Sequence, residues 1–493
     1  MRARELLLAL DQGSSSSRAV LFDLKGKPAA MAQRPVRTRR PKAGWVEHDP
    51  LNLAASLETA MDAVLSKLGP KDKVLGAGLA VQRTTIVFCE RGSFKPAAPA
   101  PSWMDGRADD FMASLQDRQG MVHGLSGLYA TPYYSAPKIR WFLDHDKKVR
   151  ALADAGRLLC APVSTFIAAR LTRGAVVAAD PTCAQRTLLM NLDTQSWDAG
   201  LLALFGLSTE LLPAIRSSAG DWGMISRRGR RIPLLATVGD QQSAAMGLGA
   251  SSEGSAVANY GTGAFLLRHT GPRPSRAPGL LASAGATFGN LRSYYLEGTV
   301  HAAGTSFEWL RELGLLKDVK ALDAAFKASR RRVLVLPAIG GLGAPRWDYK
   351  TKTAFFGLDS QTRSCDLVRG TAEGLCMLLA DAAAVMASSG FEVPRARVAG
   401  GLSRSNAMMA FQAEALGAVL ERRKEVEATA LGAAILAGKA LGLNDPEKMA
   451  DARVEKTFMP KGTETERAQR RAEWTAFVES TQRLSREIDL EQA

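Results

Sequence analysis

The stretch from Asp11 to Arg18 constrains the fold more than any other part of the sequence. It reads Asp-Gln-Gly-Ser-Ser-Ser-Ser-Arg and lies between two apolar runs, 6–10 and 19–22, that have the composition of strands. A tight turn of glycine and hydroxyl residues presents backbone N–H groups and hydroxyls, which together can bind phosphate oxygens. A single turn of this kind is more often an ordinary hairpin.

The same arrangement returns in the second half of the chain. Gly261-Thr262-Gly263 separates the strand-like runs 256–260 and 264–267. Two such hairpins suggest a duplicated domain that grips one nucleotide from both sides. At 493 residues the chain is also too long for one core, and we expect division into 1–248, 249–445 and a peripheral helical tail, 446–493.

Strand-like and helix-like segments alternate along both halves, which predicts an α/β fold. The predicted strands are 74–81, 84–88, 333–337 and 397–401, and the predicted helices are 51–68, 136–144, 371–386, 406–420, 428–438 and 464–488.

Composition excludes several classes of protein. The net charge is +15, and arginine clusters at 34–40, 227–231 and 330–332. No aromatic residues interleave these clusters and no zinc, helix-turn-helix or RNA-recognition signature accompanies them, so we expect solvated surface and no nucleic-acid partner. No uncharged apolar run approaches the length of a membrane helix, and no signal peptide is predicted. The five cysteines form no Cys-x-x-Cys motif, which favours reduced thiols in the cytoplasm.

Asp240 is the candidate catalytic residue. The chain lacks both the P-loop and the Gly-x-Gly-x-x-Gly pattern, so phosphate binding would rely on the two hairpin turns. Asp240 follows an apolar strand and Gly239, a position where α/β sites form. A kinase needs a carboxylate to accept the proton of the attacking hydroxyl. The alternative is an aspartate that caps a helix.

Three further side chains could bind an acceptor. Arg83 follows the predicted strand 74–81 and could hold a hydroxyl or a carboxylate, or form a structural ion pair. Trp103 and Tyr133 could flank a small polyol, or pack in the core. The glycine pair at 400–401 could let a flat adenine approach the backbone, or could be a strand-to-helix turn.

Together these segments resemble the FGGY family of carbohydrate kinases. The matching segments, in the family's order, are 11–20, Gly44-Trp45-Val46-Glu47-His48-Asp49-Pro50, Gly239-Asp240-Gln241-Gln242, Tyr260-Gly261-Thr262-Gly263, Gly341 to Asp348, Gly400-Gly401 and Thr429 to Ala434. Segment 44–50 is typical of the members that act on glycerol. The joint pattern is specific, and it spans roughly residues 5–480.

The resemblance implies two ribonuclease-H-like, actin-like domains with a cleft between them, ATP and Mg²⁺ as cofactors, and transfer of the γ-phosphoryl group to a polyol hydroxyl. Glycerol is the best single guess, and a homo-oligomer is expected. By matching positions, Asp240 is the general base, and Asp11 and Asp240 lie near Mg²⁺. The implied ATP-binding residues are Ser14, Ser15, Ser16, Arg18, Thr262, Gly304, Gly401 and Asn406, and the implied acceptor residues are Arg83, Thr84, Trp103, Tyr133, Asp240 and Gln241.

Thr84 departs from the family pattern, since family members that phosphorylate glycerol carry glutamate there. A hydrogen bond to a charged group contributes about 1.5–3 kcal/mol. Its loss would weaken glycerol binding by roughly 10–100-fold unless another group compensates. The run Arg227 to Arg231 also occupies the place of a regulatory loop found in some members, so regulation by a sugar bisphosphate is not expected.

Three alternatives to a kinase that acts on glycerol remain open: another acceptor, another kind of ATPase, and a nucleic-acid-binding protein. Thr84 favours a ketose, pentitol or similar acceptor, while segment 45–50 and Tyr133 favour glycerol. An actin-like chaperone or filament ATPase would hydrolyse ATP regardless of any polyol. A basic nucleic-acid binder would be indifferent to loss of the Asp240 carboxylate.

Overall fold

The computed structural model describes residues 3–424, 427–451 and 454–488. Strands in the first half are β1 Glu5–Gln12, β2 Ser16–Asp23, β3 Pro28–Pro35, β4 Thr38–Arg39, β5 Glu47–His48, β6 Lys73–Val81, β7 Ile86–Glu90, β8 Ala100–Pro101, β9 Leu158–Pro162, β10 Ala178–Ala179, β11 Ala214–Ile215, β12 Met224–Arg227 and β13 Arg230–Gly239. The helices there are α1 Pro50–Leu65, α2 Asp109–Ala113, α3 Gln119–Ser126, α4 Ser135–His145, α5 Lys147–Asp154, α6 Val163–Leu171, α7 Pro181–Gln185, α8 Ala199–Leu204 and α9 Asp240–Gly247.

The second half continues this alternation. Its strands are β14 Ala256–Tyr260, β15 Ala264–Gly271, β16 Leu281–Ala284, β17 Tyr294–Val300, β18 Leu334–Leu336, β19 Ala354–Phe356, β20 Arg395–Ala399, β21 Val419–Arg423 and β22 Val454–Phe458. Its helices are α10 Gly304–Glu312, α11 Leu322–Ala328, α12 Ser364–Ser388, α13 Asn406–Leu416, α14 Ala428–Ala440 and α15 Glu464–Glu487.

The two large sheets repeat one topology. The first has the strand order β12-β13-β6-β1-β2-β3, and the second has the order β16-β17-β15-β14-β20-β21-β22. The segment β3-β2-β1-β6-β13 of the first sheet corresponds to β17-β15-β14-β20-β21 of the second. In each segment the first three strands are antiparallel to their neighbours, and the last two run parallel to the third strand. The predicted pair of α/β domains of the ribonuclease-H-like type is therefore confirmed.

Each sheet carries its own apolar core. In the first half, α1 packs Leu53, Leu57 and Met61 against the sheet at β1, β2 and β3. Asp49 begins this helix by accepting a hydrogen bond from the N–H of Leu51. In the second half, α12 is the central helix of the core. It is also the one helix of the described chain that is long and apolar enough to cross a membrane, but 72% of its most apolar window is buried inside the protein.

The halves join where α9 and α14 contact each other at glycines. An added Cβ on Gly247 would lie 1.9 Å from the carbonyl oxygen of Ala428, and one on Gly432 would lie 1.8 Å from that of Ser243. This contact lets α9 and α14 approach at backbone distance. Helix α14 also packs on β1, β6 and β13, although the sequence division assigns it to the second domain. That division stays a prediction.

The structure corrects three predicted elements. Thr84 belongs to a tight turn, and its strand begins only at Ile86. Helix α13 ends at Leu416 rather than at residue 420, because Gly417 adopts a left-handed conformation with φ of 65°. The tail is neither wholly helical nor peripheral, since β22 pairs with β21 and Trp474 is buried in the second core.

Candidate active site

The first phosphate-type turn is a hairpin whose hydroxyls differ in availability. Asp11 pairs with Arg18 and Gln12 with Ser17 across β1 and β2, so the turn comprises residues 13–15. The Gly13 N–H closes it by donating to Ser16 O at 3.0 Å. Ser14 lines the central cavity and Ser15 is exposed, whereas the hydroxyl of Ser16 already accepts a hydrogen bond from Gln33 Nε2.

The second turn faces the same cleft and is fastened to a helix N-terminus. Gly261 donates to Gly263 O at 2.9 Å, which closes the hairpin of β14 and β15. Gly304, the first residue of α10, donates to Gly261 O at 3.0 Å. A Cβ on Gly304 would lie 2.7 Å from that oxygen, so glycine is required for this approach. Thr262 lines the cavity between the two elements.

Asp240 begins α9 directly after β13, and its side chain lines the cavity. It does not cap the helix, because the N-cap is Gly239; its Oδ1 instead accepts a hydrogen bond from the N–H of Gln241 at 2.8 Å. Burial raises the pKa of Asp240, and the charge of Arg83, whose Nε lies 3.6 Å from Oδ1, opposes that shift. The result is a carboxylate of increased basicity at the cavity wall.

Asp11 supplies a second carboxylate near Asp240. Burial raises the pKa of Asp11 to about 7, opposed by Arg18 and reinforced by the charges of Asp240 and Glu427. Its nearest cationic atom is Arg18 Nη1, at 4.0 Å, and that guanidinium pairs more closely with Glu427, at 3.0 Å. No group of three or more His, Cys, Asp and Glu suited to a metal occurs in the described part of the chain. Asp11 and Asp240 fit Mg²⁺, which needs only one or two carboxylates beside substrate phosphates.

Arg83 is held by a buried ion cluster that sequence reasoning missed. Its Nη2 lies 3.3 Å from Glu297, and Arg186 Nη2 lies 2.5 Å from the same carboxylate. Burial alone would raise the pKa of Glu297, but the guanidinium groups of Arg186 and Arg83 lower it to about 2. Glu297 is the only charged residue of β17, and a lone charge in an apolar strand is the signal that could have identified it.

Thr84 presents its side chain to the cavity from a γ-turn. The N–H of Thr85 donates to Arg83 O at 2.9 Å, and Thr84 between them has φ of 73°. Ser135 Oγ donates to Thr84 O at 2.7 Å and holds the turn in place.

Trp103 and Tyr133 lie beside Thr84 and are not core residues. The two residues are 37% and 39% exposed, and both line the cavity. Lys138, which is fully buried, donates from Nζ to the carbonyl oxygens of Ser102 and Tyr133, at 2.6 Å each. One ammonium group therefore joins the two segments that carry the predicted acceptor residues.

The cavity between the two halves has a volume of about 540 Å³. Its walls contain eight of the predicted site residues: Ser14, Arg83, Thr84, Trp103, Tyr133, Asp240, Gln241 and Thr262. They also contain residues that the sequence reasoning did not select, chiefly Arg186, Glu297, Thr299, His301, Trp347 and Tyr349. Asp11, Ser15, Ser16, Arg18, Gly304, Gly401 and Asn406 are not among its lining residues.

The predicted adenosine residues lie next to the second turn. Gly400 has φ of 95°, and a Cβ there would lie 2.3 Å from the carbonyl oxygen of Tyr260. A 3₁₀ turn, Gly401–Arg404, follows and leads into α13, which begins at Asn406. Oδ1 of Asn406 accepts a hydrogen bond from Arg422 Nη2 at 3.1 Å, which fixes the orientation of the amide.

Family models match both halves of this architecture. The N-terminal domain model of the FGGY family of carbohydrate kinases matches residues 6–247, and the C-terminal domain model matches residues 256–441. The chain belongs to the FGGY family of carbohydrate kinases. It is accordingly an ATP-dependent carbohydrate kinase.

Relatives within the family match over nearly the whole chain. A glycerol kinase from Pasteurella multocida is 36% identical, covering 97% of this chain and 98% of the relative. The crystal structure of Plasmodium falciparum glycerol kinase with ADP aligns with a TM-score of 0.91 at 27% identity, covering 97% and 98% of the two chains. A gluconate kinase from Lactobacillus acidophilus shares the fold, with a TM-score of 0.86 at 20% identity over 98% and 99%.

Proposed function

We propose that this kinase phosphorylates a hydroxyl of a small polyol, with glycerol as the best single acceptor and glycerol 3-phosphate as the product. The observation that carries the proposal is the Asp240 carboxylate, which lines one cavity together with Arg83, Trp103 and Tyr133. Glycerol kinases that are 36% identical over nearly the full chain support this choice of acceptor.

In the proposed mechanism Asp240 acts as the general base. Burial raises its pKa, which makes the carboxylate a better proton acceptor near neutral pH, and Arg83 keeps it ionised. Arg83 would also donate to an acceptor hydroxyl, while Trp103 and Tyr133 would pack on the carbon chain. Most of the rate enhancement would come from positioning and charge neutralisation.

The two turns would bind the phosphates of ATP. Ser14, Ser15 and the backbone N–H groups of the first turn would meet Thr262 and Gly304 from the second, and Arg18 would add positive charge. Mg²⁺, when bound, neutralises charge on the phosphate oxygens, and Asp11 and Asp240 would hold it. Gly401 and Asn406 would contact adenosine, while Ser16 is the weakest member of the proposed ATP set because Gln33 already engages its hydroxyl.

The test is turnover of Asp240→Asn. We expect kcat with glycerol and Mg-ATP to fall by at least about 10²–10⁴-fold, because the amide cannot accept the proton. ADP release measured by a coupled assay gives kcat, and calorimetric titration with ATP shows whether the nucleotide still binds.

Asp154→Asn is the matched control, because Asp154 is exposed at the end of α5. It should retain wild-type turnover. Near-wild-type turnover of Asp240→Asn would remove Asp240 from the role of base, and ATP hydrolysis that no polyol changes would favour a shape-changing ATPase instead.

A second candidate acceptor is a pentitol or ketopentose. The observation that favours it is Thr84, whose short side chain lines the cavity where a glutamate would hold glycerol. Turnover compared across glycerol, dihydroxyacetone, erythritol, xylitol, ribitol, xylulose, ribulose and gluconate separates the two acceptors. A cytoplasmic location and a homo-oligomeric assembly also remain predictions.

A further inference from the structure

The second half of the chain contributes a row of polar side chains to the cavity. Strand β17 and the residue after it place Glu297, Thr299 and His301 at alternate positions, and all three line the cavity. The opposite face of the strand is covered by α12, since a Cβ on Gly298 would lie 2.4 Å from the Cβ of Ala382. The period of two in a strand therefore aims this row into the cleft.

One member of the row has a buried hydroxyl without a partner, and another has an imidazole that is held by stacking. Thr299 is 8% exposed, and its Oγ1 is buried without a hydrogen-bond partner. His301 stacks on Tyr349 with ring centroids 5.6 Å apart and 13° between the planes. Ring stacking orients this imidazole but leaves its nitrogens for another partner. A buried polar group without a partner is costly, so the row is suited to a ligand that supplies one.

Charge selects the kind of ligand that fits. Burial lowers the pKa of His301 to about 4, so its imidazole is neutral at pH 7 and offers one donor and one acceptor. Glu297, in the same row, is anionic, but its carboxylate is already paired with Arg83 and Arg186. A neutral hydroxyl both donates and accepts, so it matches Thr299 and His301, neither of which carries a charge.

The cavity has room for such contacts. Its volume of about 540 Å³ corresponds to roughly 18 water-sized groups at about 30 Å³ each. Glycerol and a terminal phosphoryl group together have only about ten non-hydrogen atoms. Thr84, Trp103 and Tyr133 come from the first half of the chain, and the polar row comes from the second, so an acceptor that contacts both must extend across the cleft.

We propose that Thr299, His301 and Tyr349 form a second acceptor wall, which determines specificity by binding the hydroxyls of a neutral, linear polyol that are remote from the phosphorylated one. This inference rests on the proposed function, because the wall has a role only if Asp240 activates a polyol hydroxyl in this cavity. It assigns to the second domain part of the selectivity that a glutamate at position 84 would otherwise provide.

The test uses two variants that remove hydrogen bonds and keep shape, His301→Phe and Thr299→Val. The measured quantity is the ratio of kcat/KM for xylitol to that for glycerol, at saturating Mg-ATP, with the KM for ATP as a second readout. Each variant should lower the ratio by about 2–13-fold, the effect of one neutral hydrogen bond, and leave the KM for ATP unchanged.

His145→Phe on α4 and Thr59→Val on α1 are matched controls, because both residues are exposed. They should leave the ratio at the wild-type value. The second wall would be overturned by an unchanged ratio in both His301→Phe and Thr299→Val, or by a wild type that turns over glycerol alone. It would also be overturned if the KM for ATP rose by the same factor as the ratio fell. Failure of the proposed function would look different: the wild type would phosphorylate no polyol, or Asp240→Asn would remain active.

Discussion

At the scale of single residues, Thr84 combines an unusual identity with an unusual conformation. A β-branched residue at φ of 73° carries a strain of about 1–3 kcal/mol, which the surrounding structure must offset. The hydrogen bonds from Thr85 N–H and Ser135 Oγ hold this turn. Whichever side chain stands at position 84 is therefore fixed beside Arg83, so a single substitution there should change acceptor binding without moving the backbone.

Thr84→Glu should lower the KM for glycerol by roughly 10–100-fold, since it restores a charged acceptor for glycerol's hydroxyls. The measurement is initial rate against glycerol concentration at saturating Mg-ATP. Thr84→Gln introduces a side chain of nearly the same size as glutamate but without the charge. It therefore separates the effect of side-chain size from the effect of charge. A KM that stays the same or rises in Thr84→Glu would show that this pocket is not a weakened glycerol site.

At the scale of elements, Lys138 determines how the acceptor segments are arranged. It lies in the first half of α4. Its ammonium group donates hydrogen bonds to two backbone carbonyl groups that would otherwise have no donor. One carbonyl precedes Trp103 in sequence and the other belongs to Tyr133. The contact therefore sets the spacing of two side chains that belong to separate loops.

Lys138→Met should raise the KM for glycerol by about 10-fold or more and leave the KM for ATP unchanged, because only the acceptor loops separate. Stability should also fall by about 1–3 kcal/mol for each carbonyl left without a donor. Urea unfolding and steady-state kinetics check the two effects. Lys148→Met, at an exposed position, is the control; equal changes in both KM values would argue for a general loss of structure instead.

At the scale of the whole molecule, Glu297 links the halves. It belongs to the second sheet, whereas Arg83 and Arg186 belong to the first half, and the cluster is almost completely buried. Removing one partner of a buried ion pair leaves an uncompensated charge and destabilises by about 3–5 kcal/mol. The same cluster positions Arg83 next to Asp240, so joining the halves and arranging the site depend on one carboxylate.

Glu297→Gln should lower the free energy of unfolding by about 3–5 kcal/mol at pH 7. Because the folded-state pKa of Glu297 lies below its ordinary value near 4.5, its contribution is complete above that value and is lost as pH falls toward 2. The difference between wild type and variant should therefore narrow from pH 5 to pH 3 in urea unfolding. Parallel pH profiles for the two proteins would contradict this role of Glu297.

The sequence by itself determined the duplicated α/β fold, the two glycine turns and the position of Asp240 directly after a strand. These depend on local patterns: alternating apolar runs, glycines at tight turns, and a carboxylate placed after a strand. It did not place the strand boundary at Thr84, because a γ-turn leaves no composition signal in a β-branched residue. Nor did it place the end of α13. Gly417 ends this helix, but the apolar run in the sequence continues past it into β21.

Only the tertiary structure decided which residues complete the site. Arg186, Glu297, Thr299 and His301 line one cavity with Arg83 and Thr84. The strand period groups 297, 299 and 301, but no local pattern connects β17 with the distant residues Arg83, Thr84 and Arg186. Burial is what converts them into a site, since it raises the cost of an unpaired charge or hydroxyl and so forces partners across the cleft. That cost depends on how the two halves pack, and packing is a property of the folded molecule.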